Sequence, residues 1–169
     1  KVINRLLGML KSPIYWLAAY RYNVPGLQVH KLSMGLGLRL LLNPRTPILK
    51  GWSYQLMFAP MDSTRYFEFD FFWQTIQALS SKIRWLDVSS PRLPLLLALD
   101  KHSNWQGEFI NPDSKDLAVT EMLLKATGLD KQCNLSGELI ADVDYTPESF
   151  DLITSISVVE HIPADREAI

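Results

Sequence analysis

SFDLITSISVVEHIP, residues 149 to 163, is the stretch that decides the expected fold. Phe150 and the pair Leu152-Ile153 supply the short apolar run of a covered parallel strand. A loop and the start of a helix follow, with polar side chains at Ser155, Ser157, Glu160 and His161. Ligands of open α/β sheets bind beyond the carboxyl ends of the strands. We therefore expect a site in the residues that follow this strand.

Upstream of this stretch, strands and helices alternate. The apolar runs and turn signals predict strands at residues 83–88, 106–111, 138–141 and 150–155. They predict helices at residues 91–101 and 113–127, the second closed by a left-handed Gly128. This alternation implies βαβ units, right-handed crossovers and a parallel sheet. The expected fold class is α/β, with a Rossmann-like, doubly wound, mostly parallel sheet.

Residues 1 to 61 are expected to form a helical and loop-containing extension, distinct from an α/β domain over residues 62 to 169. Ser12-Pro13 predicts the start of a short aromatic helix, and Pro25-Gly26 predicts its end. Residues 33 to 60 are expected to be rich in loops, with one short helix at most, because glycines and prolines interrupt them. A helix from Asp62 to about Ser80 then carries an aromatic stripe, which we assign to core packing.

The charged residues are also distributed unevenly between residues 1 to 61 and residues 62 to 169. Residues 1 to 61 contain eight Lys or Arg and no Asp or Glu, whereas residues 62 to 169 contain 18 acids and nine bases. The net charge of −1 therefore hides segments of +8 and −9. Such a basic segment indicates either contact with a membrane or another polyanion, or packing against the acidic remainder. Both interpretations stay open. Among possible partners we expect a membrane, contacted peripherally through residues 1 to 61, and we expect no nucleic acid.

The composition and the remaining motifs exclude several kinds of site and of targeting segment. The single Cys133 excludes an internal disulfide and a cysteine-based zinc site, and the three histidines lack metal-ligand spacing, so no metal is expected. The sequence has no run of about 18 apolar residues and no secretory signal pattern. We expect a cytoplasmic location, peripheral to a membrane if the basic segment binds one. Since the chain begins with Lys1 and ends just after a predicted helix start, we also expect a fragment.

Three segments carry a family resemblance: IRWLDV at residues 83–88, ELIADV at residues 138–143 and ESFDLITSISVVEHIP at residues 148–163. They resemble, in the same order, segments of class I S-adenosylmethionine-dependent methyltransferases of the group called type 11. The likeness covers about half of the chain. It implies a Rossmann-like sheet, S-adenosyl-L-methionine as the cofactor and methyl transfer as the reaction. It also implies that the final strands of the family's sheet are missing from this chain.

The resemblance assigns cofactor-binding residues to the first two strand ends. The loop after the first strand would face the methionine part of the cofactor, through Asp87, Ser89 and Ser90. The second strand end would meet the ribose hydroxyls, through Asn111 or through Asp113 in its place. The family has glycines in the first loop and an acid at the second strand end, so this chain departs from both. Asp87 could equally be a structural carboxylate that accepts loop amides, and Asp113 a helix cap.

The other assigned residues follow the third and fourth strands. The carboxylate of Asp142 would accept a hydrogen bond from the adenine amino group, while the N–H of Val143 meets a ring nitrogen. Ser155 and Ile156 are assigned to the same site. The alternative for Asp142 is an ordinary acid on a surface loop. His161 is the one candidate for a general base because its unperturbed pKa is near 6.5, but the resemblance assigns no catalytic residue, and a structural role is the alternative.

The sequence thus predicts S-adenosylmethionine-dependent methyl transfer to an unidentified small-molecule acceptor. The acceptor would be lipid-linked or a glycan precursor if residues 1 to 61 lie on a membrane. Alignment of the reactants can supply much of the rate of such a transfer. The alternative is a non-catalytic, methyltransferase-like domain that binds a partner, which the missing glycines and Asn111 favour. The sequence does not predict the oligomeric state.

Overall fold

The computed structural model of the protein describes residue 14 and residues 16–43, 49–62, 64–79 and 82–157. The predictions for Ser12-Pro13, Glu160 and His161 lie outside the described residues. The chain divides into two compact units, Lys1–Thr75 and Ile76–Ile169. Among the helices in the described ranges, none is both long enough and apolar enough to cross a membrane.

The first unit is mainly helical over its described residues. Residues 16–21 are helical, α1 (Leu27–Leu42) and α2 (Lys50–Phe58) follow, and α3 (Arg65–Gln77) begins within the unit. α3 confirms the helix predicted after Asp62, and Phe69, Phe72 and Trp73 on its aromatic stripe are buried. The expectation of a loop-rich segment over residues 33 to 60 is wrong, because α1 and α2 occupy most of it.

Two glycines in α1 explain why the sequence pattern there was misleading. At Gly37 an added Cβ atom would lie 2.8 Å from the carbonyl oxygen of Ser53, so glycine allows α1 and α2 to approach closely. Nearby, the Ser33 hydroxyl donates to the carbonyl oxygen of Leu56 at 2.8 Å. At Gly35 nothing lies within 4 Å of an added Cβ, so this glycine has no packing role. Burial of the inner face of α1 therefore outweighs the weak helix propensity of its glycines.

The second unit contains an all-parallel sheet. Its elements are β1 (Arg84–Val88), α4 (Arg92–Lys101), β2 (Gln106–Ile110), α5 (Ser114–Thr127), β3 (Cys133–Ser136) and β4 (Leu152–Thr154). The strands are ordered β3-β2-β1-β4, and every neighbouring pair is parallel. The predicted α/β class is confirmed, as are both predicted helices and the strands that we identified as β1, β2 and β4.

The predicted position of the third strand is wrong. β3 occupies Cys133–Ser136 and pairs with β2. The predicted strand at residues 138–141 instead ends within a short 3-10 turn at Ile140–Asp142. Leu139 and Ile140 are 52% and 37% exposed, so the apolar pair that resembled a strand lies at the surface. Backbone pairing with β2 selects the earlier segment, in which Cys133 is buried.

Local signals and core burial hold the other elements in place. Asp113 caps α5 by accepting hydrogen bonds from the backbone N–H groups of two residues in its first turn, and Gly128 ends the helix with φ at 75°. α4 is buried at every position from Leu93 to Leu99, as its all-round apolar sequence predicts. Trp85 in β1 is fully buried and packs edge-to-face on Trp105, with ring centroids 5.7 Å apart. These contacts fix β1 inside the sheet.

Candidate functional site

The direction of strand addition reverses at β1. The chain proceeds from β1 to β2 and β3, and then places β4 on the opposite side of β1. The loops that leave β1 and β4 therefore begin next to each other. In open parallel sheets, such a switch point at the carboxyl ends of the strands is where ligands bind. The structure brings together here five of the predicted site residues, namely Asp87, Ser89, Ser90, Ser155 and Ile156.

Asp87 lies at the centre of this cluster and is completely buried. Its Oδ1 atom accepts a hydrogen bond from the backbone N–H of Ser90 at 3.0 Å, and its Oδ2 atom accepts from the hydroxyl of Thr154 at 2.6 Å. Burial raises the pKa of the Asp87 carboxyl to about 6, although the hydrogen bonds from Thr154 and Ser90 oppose this shift. Asp87 thus connects β1, the loop after it and β4, which is the structural role considered for it.

Thr154 completes this connection and was not predicted from the sequence. The register of the parallel pair places Thr154 beside Asp87. The Thr154 hydroxyl donates to Asp87 and accepts a hydrogen bond from the indole N–H of Trp85 at 2.8 Å. A polar residue at the last position of an apolar strand was the available signal. Because the partner of Thr154 depends on strand pairing, the sequence alone could not identify this contact.

Ser89 adopts a backbone conformation that favours glycine. Its φ angle is 57°, in the left-handed region, where L-residues with a side chain are uncommon. Both its backbone N–H and its hydroxyl donate to the carbonyl oxygen of Ile110 at the end of β2, at 2.9 and 3.1 Å. The loop after β1 therefore has a glycine-like bend at this position without a glycine.

Two further hydrogen bonds tie the loop after β1 to the loop after β4. The Ser90 hydroxyl accepts from the backbone N–H of Ile156 at 2.8 Å, and the Ser155 hydroxyl donates to the carbonyl oxygen of Val88 at 3.2 Å. Ser90 is 1% exposed, so its hydroxyl faces protein rather than solvent. Both predicted serines that lie across the switch point, Ser90 and Ser155, thus join the two loops.

The end of β2 is organised around Asn111. Its side-chain oxygen accepts from the backbone N–H of Asp113 at 2.9 Å, and its amide nitrogen donates to the carboxylate of Asp116 at 3.0 Å. Asn111 is 7% exposed. Asp113 is the cap of α5, which is the structural role considered for it in the sequence. Both predicted ribose-binding residues therefore make contacts within the strand end and the helix that follows.

Arg92 is a second residue of the site that sequence reasoning missed. It begins α4, directly after the loop of β1, and its guanidinium forms an ion pair with the carboxylate of Asp116. Burial lowers the pKa of Arg92, and the nearby Asp113 carboxylate opposes that shift. Pro91 at the N-cap of α4 makes no side-chain cap, and the first backbone N–H groups of a helix have no acceptor within the helix itself. A helix N-terminus at a strand end is suited to an anionic group, and the guanidinium beside it is already paired with Asp116.

Asp142 and Val143 lie in the connection between β3 and β4. Asp142 is the last residue of the 3-10 turn and is exposed, and Val143 is half-buried. The same connection is anchored to β2 because the Tyr145 hydroxyl donates to the carboxylate of Glu108. Burial, with additional effects of Glu108, raises the pKa of Tyr145 to about 12. Within the described part of the chain, no hydrogen bond joins the Asp142 side chain to the cluster around Asp87.

The second unit also has a surface cavity of about 420 Å³. Its lining comes from the end of α5, the turn after it and β3: Glu121, Leu124, Lys125, Asp130, Cys133, Asn134 and Leu135. None of these residues belongs to the cluster at the ends of β1 and β4. The cavity is therefore a feature separate from the candidate site.

No protein-family model, curated protein or solved structure matches this chain. The chemistry of the candidate site consequently has to be inferred from its own residues. They provide the hydroxyls of Ser89, Ser90 and Thr154, a buried carboxylate with a raised pKa, and the N-terminus of α4 with Arg92, all at one switch point. This set suits recognition of a ligand that carries charged groups more than it suits nucleophilic or metal-dependent catalysis.

Proposed function

We propose that the protein binds S-adenosylmethionine at the carboxyl ends of β1 and β4 and transfers its methyl group to a small-molecule acceptor. The observation that carries the proposal is the left-handed Ser89 at the switch point of an all-parallel sheet. A glycine-rich cofactor loop makes a left-handed bend directly after the first strand. In this chain Ser89 makes that bend without a glycine. The resemblance of residues 83 to 163 supports the same conclusion.

The strand order supports a doubly wound, Rossmann-like arrangement. The order β3-β2-β1-β4 with parallel pairing is the order of the first strands in such sheets, which bind nucleoside cofactors at the switch point. Nicotinamide cofactors are the less favoured choice because their glycine fingerprint is absent after β1. The sequence segments with the resemblance fall on β1, on the turn after β3 and on β4.

Residues at the ends of β1 and β2 and in the connection before β4 would contact distinct parts of the cofactor. The start of α4 and the Arg92 guanidinium would hold the carboxylate of the methionine part, because a helix N-terminus and a cation both favour an anion. Asn111 at the end of β2 would face the ribose. Asp142 and the N–H of Val143 would meet the adenine edge, with one acceptor and one donor. Ser90 and Asp87 would fix the loop that positions these groups.

S-adenosylmethionine supplies an activated methyl group that an acceptor nucleophile attacks opposite the sulfur. The protein has to hold the acceptor, the methyl carbon and the sulfur in line and to exclude competing water, which is catalysis by proximity and orientation. None of the described side chains in the cluster is placed to act as a general base. His161 stays a prediction because it lies outside the described residues.

A calorimetric titration with S-adenosylhomocysteine tests the proposal. The 169-residue chain is compared with Asp142→Ala and with the matched control Asp144→Ala, since both carboxylates are exposed in the same loop. We expect micromolar binding that weakens roughly tenfold or more in Asp142→Ala, as a lost hydrogen bond between an ionised group and a ligand predicts, and that stays unchanged in the control. No binding by the folded chain, or equal effects of both variants, would contradict the proposal.

A second candidate function is a non-catalytic domain that binds a partner. The hydrogen bonds Ser90–Ile156 and Ser155–Val88 favour it, because they join the two loops at the place where a cofactor would enter. The amide of Asn111 is likewise already used by Asp113 and Asp116. Replacing Ser155 by alanine distinguishes the two functions. A cofactor site that must open would gain affinity for S-adenosylhomocysteine, whereas a binding domain would remain without measurable affinity.

A further inference from the structure

Exposed apolar side chains are concentrated in the first unit. Of the thirteen large hydrophobic residues exposed in the described part of the chain, ten lie between Ile14 and Phe71. Single exposed apolar residues are normal on a protein surface, but a group of them on one surface indicates an interaction site. The position of these residues on the helices decides whether they form such a group.

On α1, the exposed residues form one stripe. Lys31, Leu38 and Leu42 follow one another at intervals of seven and four residues, which places them on the same side of a helix. Leu38 and Leu42 are 49% and 72% exposed, and Leu41 beside them is 45% exposed. The opposite side of α1 packs against α2 through buried residues that include Leu36 and Leu40. The stripe is thus the face of α1 that α2 does not cover.

The helix before α1 extends this stripe. The Lys31 ammonium lies 5.2 Å from the centre of the Tyr20 ring, a cation–π distance that brings the two helices together at this point. Tyr20 and Leu17, one turn apart, are 71% and 72% exposed. On its inner side, the same helix packs Trp16 against His30 at 4.7 Å between ring centroids. We call Leu17, Tyr20, Lys31, Leu38, Leu41 and Leu42 the α1 stripe.

The charged residues of the segment that carries the α1 stripe are all basic, whereas Asp70 of α3 accepts a hydrogen bond from the N–H of Gly26 at the start of α1. Arg21, Lys31, Arg39 and Lys50 are exposed, and residues 1 to 61 contain no Asp or Glu at all. Aliphatic and tyrosine side chains among exposed cations match the chemistry of an anionic lipid surface, where the apolar groups enter the acyl boundary and the cations meet the headgroups. Nucleic acid fits this surface less well, because leucine side chains neither stack on bases nor bind phosphates.

We propose that the α1 stripe binds peripherally to membranes that contain anionic phospholipids. This surface contains none of the residues assigned to the cofactor, so membrane binding and cofactor binding are independent and can fail separately. The α1 stripe would enter the interface with the axis of α1 parallel to the membrane. If both proposals hold, lipid-linked molecules are the first acceptors to test.

Vesicle sedimentation tests the proposal with the complete 169-residue chain. Vesicles of phosphatidylcholine alone are compared with vesicles that also contain phosphatidylserine. We expect binding only to the second kind. Leu38→Gln combined with Leu42→Gln should weaken it roughly tenfold or more, because two apolar side chains no longer leave water. Lys31→Gln combined with Arg39→Gln should also weaken it, by about fivefold for each cation.

The matched control replaces two exposed apolar residues of the second unit, Leu139→Gln with Ile140→Gln, and should bind as the unchanged chain does. Circular dichroism establishes that each variant is folded. A folded chain that does not bind anionic vesicles overturns the proposal, and so does equal binding by the leucine variant. Tighter binding to duplex DNA than to vesicles, lost only in the cation variant, would overturn it in favour of a nucleic-acid surface.

Discussion

Asp87→Asn offers a test of the buried carboxylate on which the candidate site is built. Asparagine keeps the size of the side chain and can still accept the hydrogen bond from the Ser90 N–H. It cannot ionise. The substitution therefore removes the cost of burying a negative charge, while most of the geometry at the end of β1 stays in place.

The size of the effect follows from the pKa of Asp87, which burial raises from 3.8 to about 6. At about 1.4 kcal/mol for each tenfold change, an ionised Asp87 costs the folded state about 3 kcal/mol at neutral pH. Since the folded pKa lies above the unfolded one, the folded state holds its proton longer. The protonated Asp87 carboxyl therefore makes its full contribution to stability below about pH 4, and this contribution is lost as the pH rises through about 6.

Urea unfolding at several pH values, followed by tryptophan fluorescence, measures this effect. We expect the free energy of unfolding of Asp87→Asn, relative to the unchanged chain, to rise by about 2.5 kcal/mol between pH 4 and pH 7. Asp144→Asn removes one charge from an exposed position and serves as the control. A difference for Asp87→Asn that varies by less than about 0.5 kcal/mol over this range, or that falls, would refute the reasoning.

Five further substitutions, at Ser89, Gly37, Gly35 and Tyr66, test other parts of the structure by thermal or urea unfolding. Ser89→Gly should leave the free energy of unfolding within about 1 kcal/mol of the unchanged value, because relief of the left-handed conformation offsets the lost hydroxyl, whereas Ser89→Val should lose about 2 kcal/mol or more. Gly37→Ala should destabilise by about 2 kcal/mol because its Cβ meets α2 at 2.8 Å, whereas Gly35→Ala, in open space, should stabilise by up to about 1 kcal/mol; equal effects would contradict the close helix contact. Burial lowers the pKa of His30, so its contribution to stability should be lost as the pH falls below about 6.5, and Tyr66→Phe, which removes the 2.8 Å hydrogen bond to His30, should cost about 1 kcal/mol at pH 7.

Much of the second unit could be predicted because its signals are local. The apolar runs of β1, β2 and β4, the cap at Asp113 and the stop at Gly128 all act within a few residues. The position of β3 could not be predicted in this way, since Leu139-Ile140 is more apolar than the segment that pairs with β2. The choice between the two segments is made by pairing across the sheet. α1 was missed for a similar reason. Gly37 interrupts the helical pattern in the sequence, and its role becomes evident only from its close contact with α2.

The sequence predicted where the candidate site lies in the sheet, but it did not predict which side chains contact one another there. Polar residues after apolar strands identify the carboxyl end of the sheet, and the structure brings Asp87, Ser90 and Ile156 together there. Thr154 and Arg92 were missed because each gains its significance from a partner distant in the sequence, Asp87 and Asp116 respectively. The cofactor and the methyl transfer remain proposals that the site supports.

The location of cofactor binding is the central claim, and amide NMR spectra of the chain titrated with S-adenosylhomocysteine test it most directly. We predict that the shifted amides cluster at Ser89, Ser90, Arg92, Val143 and Ile156, where the ends of β1 and β4 and the turn after β3 would meet the ligand. Shifts centred on Lys125 and Asn134, beside the cavity of α5 and β3, would contradict the account. A spectrum that does not change at all would contradict it equally.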